Sequence, residues 1–167
     1  MSKIESQAVI QKLVSYFDQK ISLVSEPYGL LTIEVGKDDI LPILSFLKED
    51  KELQFNYLTD ITGIHYPDKE LGIGVIYHLH SLVNNKRIRI KVFLNENNPV
   101  ISTATSLWNG ANWMERETYD FFGVVFEGHP DLRRILNVDD MTAFPMRKEY
   151  PLEDPNRVDK KDFFFGR

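Results

Sequence analysis

Residues 86–94 read Lys-Arg-Ile-Arg-Ile-Lys-Val-Phe-Leu, and no other stretch limits the fold so tightly. Ile88, Ile90, Val92 and Leu94 fall on one side of an extended chain, with Arg87, Arg89 and Lys91 on the other. That period of two belongs to a strand with one face buried and one wet. Antiparallel sheets allow such a strand, whereas parallel sheets are usually covered on both faces. Asn84-Asn85 just before it is tight-turn chemistry. The β-rich runs at 72–82 and 53–62 supply two further strands.

The N-terminal half adds helices and a hairpin. Ile4, Ala8, Val9, Leu13, Val14 and Phe17 recur at helical spacing, so 3–18 reads as an amphipathic helix. Runs at 21–24 and 30–35 flank Pro27-Tyr28-Gly29, a turn, and form a hairpin. Asp38 or Asp39 is placed to cap a helix over 40–47, with Pro42 in its first turn. Pro99 suits the start of a helix running to Trp108, with Gly110 at its end. The order predicts an α+β fold: two layers, a mainly antiparallel sheet with helices on one face. From Asp139 the pattern lapses, with proline at 145, 151 and 155. The sequence thus divides into a 1–138 domain and an extended 139–167 tail that wraps a partner, about 95 Å if fully stretched.

Composition removes whole classes of function. There is no cysteine, which rules out disulfides, thiolate nucleophiles and cysteine-held zinc or iron–sulfur clusters. The formal charge of −5 has the wrong sign for a nucleic-acid binder. No apolar run approaches the ~20 residues a membrane span needs, and the N-terminus lacks a secretory pattern. His78 and His80 share one face of a strand, a spacing metal sites use, but they read as strand histidines on a half-solvated face. Gly72-Ile73-Gly74 lies inside a strand without the helix a dinucleotide fingerprint requires.

Residues 113–152 carry the densest chemistry. Asn112 and Glu115 have the spacing of a capping box, favouring a helix over 113–122 stopped by Gly123. On that helix Arg116 and Asp120 lie four apart, as an ion pair would. Glu117 projects between Trp113 and Phe121, inside the apolar arc, and so requires a cationic partner. Arg133, Arg134 and Arg147 are the candidates. Acid–base catalysis by Glu115 and Glu117 is the competing reading, but a structural ion-pair network fits the phasing better. Phe163, Phe164 and Phe165 form an apolar patch of the kind that marks an interaction site.

Glu115-Arg-Glu-x-x-Asp-Phe-Phe-Gly123, Gly128-His-Pro-Asp-Leu-Arg-Arg-Ile-Leu136 and Pro145-Met-Arg-Lys-Glu-Tyr-Pro-Leu152 together resemble the signature of the 30-kilodalton subunit family of the proton-translocating NADH:quinone oxidoreductase, respiratory complex I. The family has bacterial and mitochondrial members. Ala143 and Phe144 depart from it, since glycine is usual and histidine frequent at those places. The resemblance implies a non-catalytic peripheral-arm subunit that holds no cofactor itself. FMN, iron–sulfur clusters and quinone would then lie in partner subunits. Its partners would be the quinone-site subunit, related to nickel–iron hydrogenase large subunits, and the iron–sulfur subunits. It would sit on the cytoplasmic side of the bacterial inner membrane, held there by the complex. Glu115, Arg116, Glu117, Asp120, His129, Arg133, Arg134 and Arg147 would be docking and buttress residues, and Tyr150 with Phe163–Phe165 tail contacts. The alternatives are the equivalent subunit of a membrane-bound hydrogenase or ferredoxin-linked oxidoreductase, and a stand-alone enzyme using Glu115 and Glu117.

Overall fold

The computed structural model describes residues 4–150. Its centre is a five-stranded sheet in the order β1-β2-β5-β4-β3. The strands are β1 (Ile21–Ser25), β2 (Leu31–Val35), β3 (Tyr57–His65), β4 (Ile73–Ser81) and β5 (Lys86–Leu94). All neighbours run antiparallel except β2 and β5, which pair in parallel through Leu31–Ile88 and Ile33–Ile90. The alternation in β5 is realised as read: Ile88, Ile90, Val92 and Leu94 are buried and Arg87 is exposed.

Helices α1 (Ser6–Phe17) and α2 (Ile40–Glu49) add Val9, Leu13, Ile43, Leu44 and Leu47 to the core. A third helix, α3 (Ala111–Phe122), packs beside the edge strand β3. The contact is close because residue 63 is glycine: a Cβ there would stand 2.3 Å from the Phe122 ring. Gly63 pairs with inward-facing Val75, so α3 lies on the buried side of the sheet.

Three local expectations change. Residues 53–56 do not join β3. Leu53 and Phe55 are fully buried, but they belong to a turn whose Glu52 and Leu53 amides donate to Asp50. Asn84 donates its amide to the Glu52 and Leu53 carbonyls from the far hairpin. Asp39 precedes α2 without a side-chain capping bond and instead pairs with Lys20 at 2.7 Å. The helix expected over 99–108 is absent. Val100–Ser102 forms β6, parallel to β7 (Val125–Glu127), as β-branched Val100 and Ile101 favour. Gly110 therefore precedes α3 instead of ending a helix, and Trp108 donates its indole N–H to the Asn56 carbonyl.

Candidate functional site

The α3 helix is enclosed from two sides. At about 100° per residue, Ala111, Glu115, Thr118 and Phe122 form one stripe facing the sheet, and Asp120 points the opposite way. All five are buried. Asp120 is covered by a segment without regular structure, residues 131–150, here called the arm.

Asp120 organises that arm. Its Oδ2 accepts the backbone N–H groups of Ile135, Leu136 and Asn137 at 3.1, 2.8 and 2.9 Å. Its Oδ1 accepts from Arg134 at 2.7 Å and from the Asn137 amide at 3.1 Å. Arg134 also donates to the Asp120, Met141 and Ala143 carbonyls. Burial alone would raise the Asp120 pKa, but the Asn137 and Leu136 amides and the Arg134 guanidinium outweigh it, holding the carboxyl well below its usual range. Further along, Arg147 donates to the Phe122 carbonyl at 2.7 Å. The Arg134 and Arg147 guanidiniums both lie over the Phe144 ring, their carbons 5.2 and 5.0 Å from its centroid. Gly123 ends α3 at φ +75°, and a Cβ there would meet Phe144 at 2.6 Å.

Glu115 lies on the other side. Its Oε2 accepts the Thr103 hydroxyl at 2.5 Å and its Oε1 the Ala104 N–H at 2.6 Å, which ties α3 to the strand end after β6. Burial pushes its pKa up from 4.5 to about 7, since two hydrogen bonds do not offset the loss of water. His129 approaches to 4.0 Å with its side chain also fully buried. Its Nδ1 accepts the Asp131 N–H, leaving Nε2–H to donate to the Asn112 carbonyl.

The charged residues of the motif are brought together, with different pairings from those the sequence indicated. Glu115 is not half of a capping box: the N-cap is Gly110, with no side-chain bond, and Glu115 is the buried carboxylate. Glu117 is exposed and forms no ion pair among the described residues; Trp113, its assumed apolar neighbour, is 59% exposed. Asp120 pairs with Arg134 rather than Arg116, which donates to the Arg133 and Arg134 carbonyls. Arg133 turns outward to Asp131 at 2.9 Å. Tyr150 is exposed, and Phe163, Phe164 and Phe165 lie outside the described residues. His78 accepts a hydrogen bond from Arg89, as a strand histidine on a half-open face. Sequence reasoning missed Thr103, Ala104 and Asn137: Ala104 acts through its backbone N–H, Thr103 through its hydroxyl and Asn137 through both backbone and side-chain amides. The 111/115/118/122 spacing was a usable signal, hidden because two of its four residues are polar.

Comparison with known proteins follows the same motif. Residues 33–156 match the family described as respiratory-chain NADH dehydrogenase, 30 Kd subunit. An NADH-quinone oxidoreductase subunit of Geotalea uraniireducens is 42% identical over 153 residues, a stretch that spans 92% of both proteins. A Candida albicans relative, described as iron-sulfur protein 3 of the mitochondrial NADH dehydrogenase (ubiquinone), is 50% identical over 72% of this chain and 43% of its own. Among solved structures, a trypsin-resistant fragment of Nqo5 superposes with a TM-score of 0.64 at 32% identity, covering 74% of this chain and 98% of the fragment. A protein from an archaeal membrane-bound sulfane sulfur reductase shares the fold, with a TM-score of 0.75 at 21% identity, covering 96% of this chain and 97% of its own. The match runs from the second strand through the arm that Asp120 holds, and the chain belongs to the 30-kilodalton subunit family of the respiratory-chain NADH dehydrogenase.

Proposed function

We propose that the chain is a non-catalytic assembly subunit in the peripheral arm of a respiratory NADH:quinone oxidoreductase. That enzyme transfers electrons from NADH to quinone and couples the transfer to proton translocation. The observation that carries the reading is the Asp120 anchor. It devotes a buried carboxylate, an arginine and three backbone amides to holding an otherwise irregular segment in one shape. The arm so held presents Leu136, Val138, Met146 and Tyr150 to the outside, and Trp113 on α3 is exposed as well. Exposed apolar groups on a rigid base are what a partner subunit needs.

The carboxylates themselves speak against acid–base chemistry in this chain. A general base must come within hydrogen-bond reach of a substrate proton. Glu115 is sealed at 0% exposure and its oxygens are already engaged. Glu117 is exposed on the far side of the helix, about 200° around from Glu115, so the two do not face one substrate. In this reading FMN, the iron–sulfur clusters and quinone belong to partner proteins: the hydrogenase-large-subunit-like quinone-site subunit and the iron–sulfur subunits. No helix among the described residues is long and apolar enough to cross a membrane. We place the chain on the cytoplasmic side of the inner membrane, held through its partners.

Co-expression with those partner subunits tests the assignment. The chain is expected to co-purify with the quinone-site subunit, and to show no NADH oxidation or quinone reduction alone. Deleting residues 153–167 is expected to lower recovery of the complex while circular dichroism of the remainder stays unchanged. Full activity of the isolated chain, or complex recovered equally well without it, overturns the proposal.

A further inference from the structure

His65 ends β3, and its imidazole is completely buried. The ring is satisfied on one side only. Nδ1 accepts the Lys148 backbone N–H at 2.8 Å, so the ring proton sits on Nε2. Among the described residues Nε2 has no hydrogen-bonded partner, a costly state for a buried polar group. Two carboxylates flank the ring. Glu96 Oε1, from the loop after β5, is 3.2 Å from Nε2 without the alignment of a hydrogen bond. Glu149 Oε2, from the arm, is 3.8 Å from Nδ1. One donor atom from each of the three residues lies within 4.8 Å of the others. Gly72 leaves the room this needs: a Cβ there would stand 2.9 Å from Glu96 Oε2.

We propose that His65 Nε2 and Glu96 bind a divalent transition cation of the zinc class, with Glu149 as the carboxylate that orients the ring. One imidazole nitrogen with carboxylate oxygens is a donor set that zinc accepts and magnesium does not seek. A 3.2 Å separation suits two ligands that each stand about 2.0–2.2 Å from a shared ion, and solvent completes the coordination. Binding at Nε2 moves the ring proton to Nδ1, where the Lys148 N–H now points. Two N–H groups cannot face each other, so Lys148 must give way and the Glu149 carboxylate accepts Nδ1–H. That is the carboxylate–histidine–metal arrangement found around many zinc ions. Loading the site therefore exchanges one contact of the arm for another and ties together β3, the loop after β5 and the arm. It adds a property to the docking role and does not depend on it.

The full chain, freed of metal with EDTA, is titrated with zinc chloride by calorimetry and followed by thermal unfolding, with magnesium as the control cation. One zinc per chain is expected, with an unfolding midpoint raised by several degrees and no response to magnesium. Glu96→Gln, at a partly exposed position that leaves the core intact, is expected to abolish binding. Glu149→Gln is expected to keep the stoichiometry and weaken affinity by roughly ten- to a hundredfold. Nitrogen NMR of the His65 ring is expected to pass from the Nε2–H to the Nδ1–H tautomer as zinc is added. Absence of binding, binding unchanged by Glu96→Gln, or a ring that keeps Nε2–H in saturating zinc each overturns the proposal.

Discussion

Glu115 and Asp120 are five residues apart on one helix, both buried, and their pKa values move in opposite directions. The difference is the number and charge of their partners. Asp120 has a guanidinium and three backbone amides, whereas Glu115 has one hydroxyl and one amide. Between pH 4.5 and about 7 the folded protein keeps a proton on Glu115 that the unfolded chain releases. Stability from this group is therefore complete below that window and lost as pH rises through it, by about 3 kcal/mol at most. Glu115→Gln is expected to flatten the difference between urea unfolding at pH 5 and pH 8, and an unchanged slope would assign it elsewhere. For Asp120 the sign reverses: its contribution is present above the ordinary aspartate range and lost as pH falls below it. Asp120→Asn is expected to cost about 3–5 kcal/mol, because it strands Arg134 and breaks the anion that three amides share. Brief trypsin treatment is expected to cut faster after Arg134, whose guanidinium Asp120 holds in the parent chain. Glu117→Gln should change stability by less than about 0.5 kcal/mol, as for any solvated position.

At the scale of elements, α3 shows which features the sequence made legible. Its existence and its stop at Gly123 were readable, because a left-handed C-cap favours glycine. Its orientation was not. The buried stripe of Ala111, Glu115, Thr118 and Phe122 has only two apolar members, so a hydrophobicity count turned the helix toward Trp113 and Phe121 instead. Strand β5 was legible throughout, since its two faces differ cleanly. Residues 99–108 were misread because Pro99 marks a helix start only when no partner strand is available, and Val125, distant in sequence, supplies one. The seat of α3 against β3 can be tested directly. Gly63→Ala puts a methyl where the Phe122 ring lies, and overpacking of that kind costs about 1–3 kcal/mol. A matching fall in the thermal midpoint is expected, whereas unaltered stability would mean the helix can slide away without cost.

For the whole molecule the balance of forces differs between its two parts. The sheet and α1 and α2 are held by apolar burial, and their residues could be read from periodicity. The arm is held largely by charged and backbone hydrogen bonds to α3. Leu132 packs against the core and Phe144 against Gly123, but other apolar side chains point outward: Leu136 is 65% and Val138 64% exposed. No local period encodes such an arrangement, so the sequence showed interleaved charges and aromatics without showing which were inside. This inversion separates folding from docking. Leu136→Ser combined with Val138→Ser removes exposed apolar surface while leaving the Leu136 backbone N–H on Asp120. Unfolding free energy should therefore stay within about 0.5 kcal/mol of the parent, while recovery of partner subunits in a pull-down falls. Asp120→Asn should lose both, because it releases the base on which the surface is displayed. If the double variant assembles as well as the parent, the docking surface lies elsewhere, and exposed Trp113, on the opposite flank of α3 from Glu115, becomes the position to substitute next.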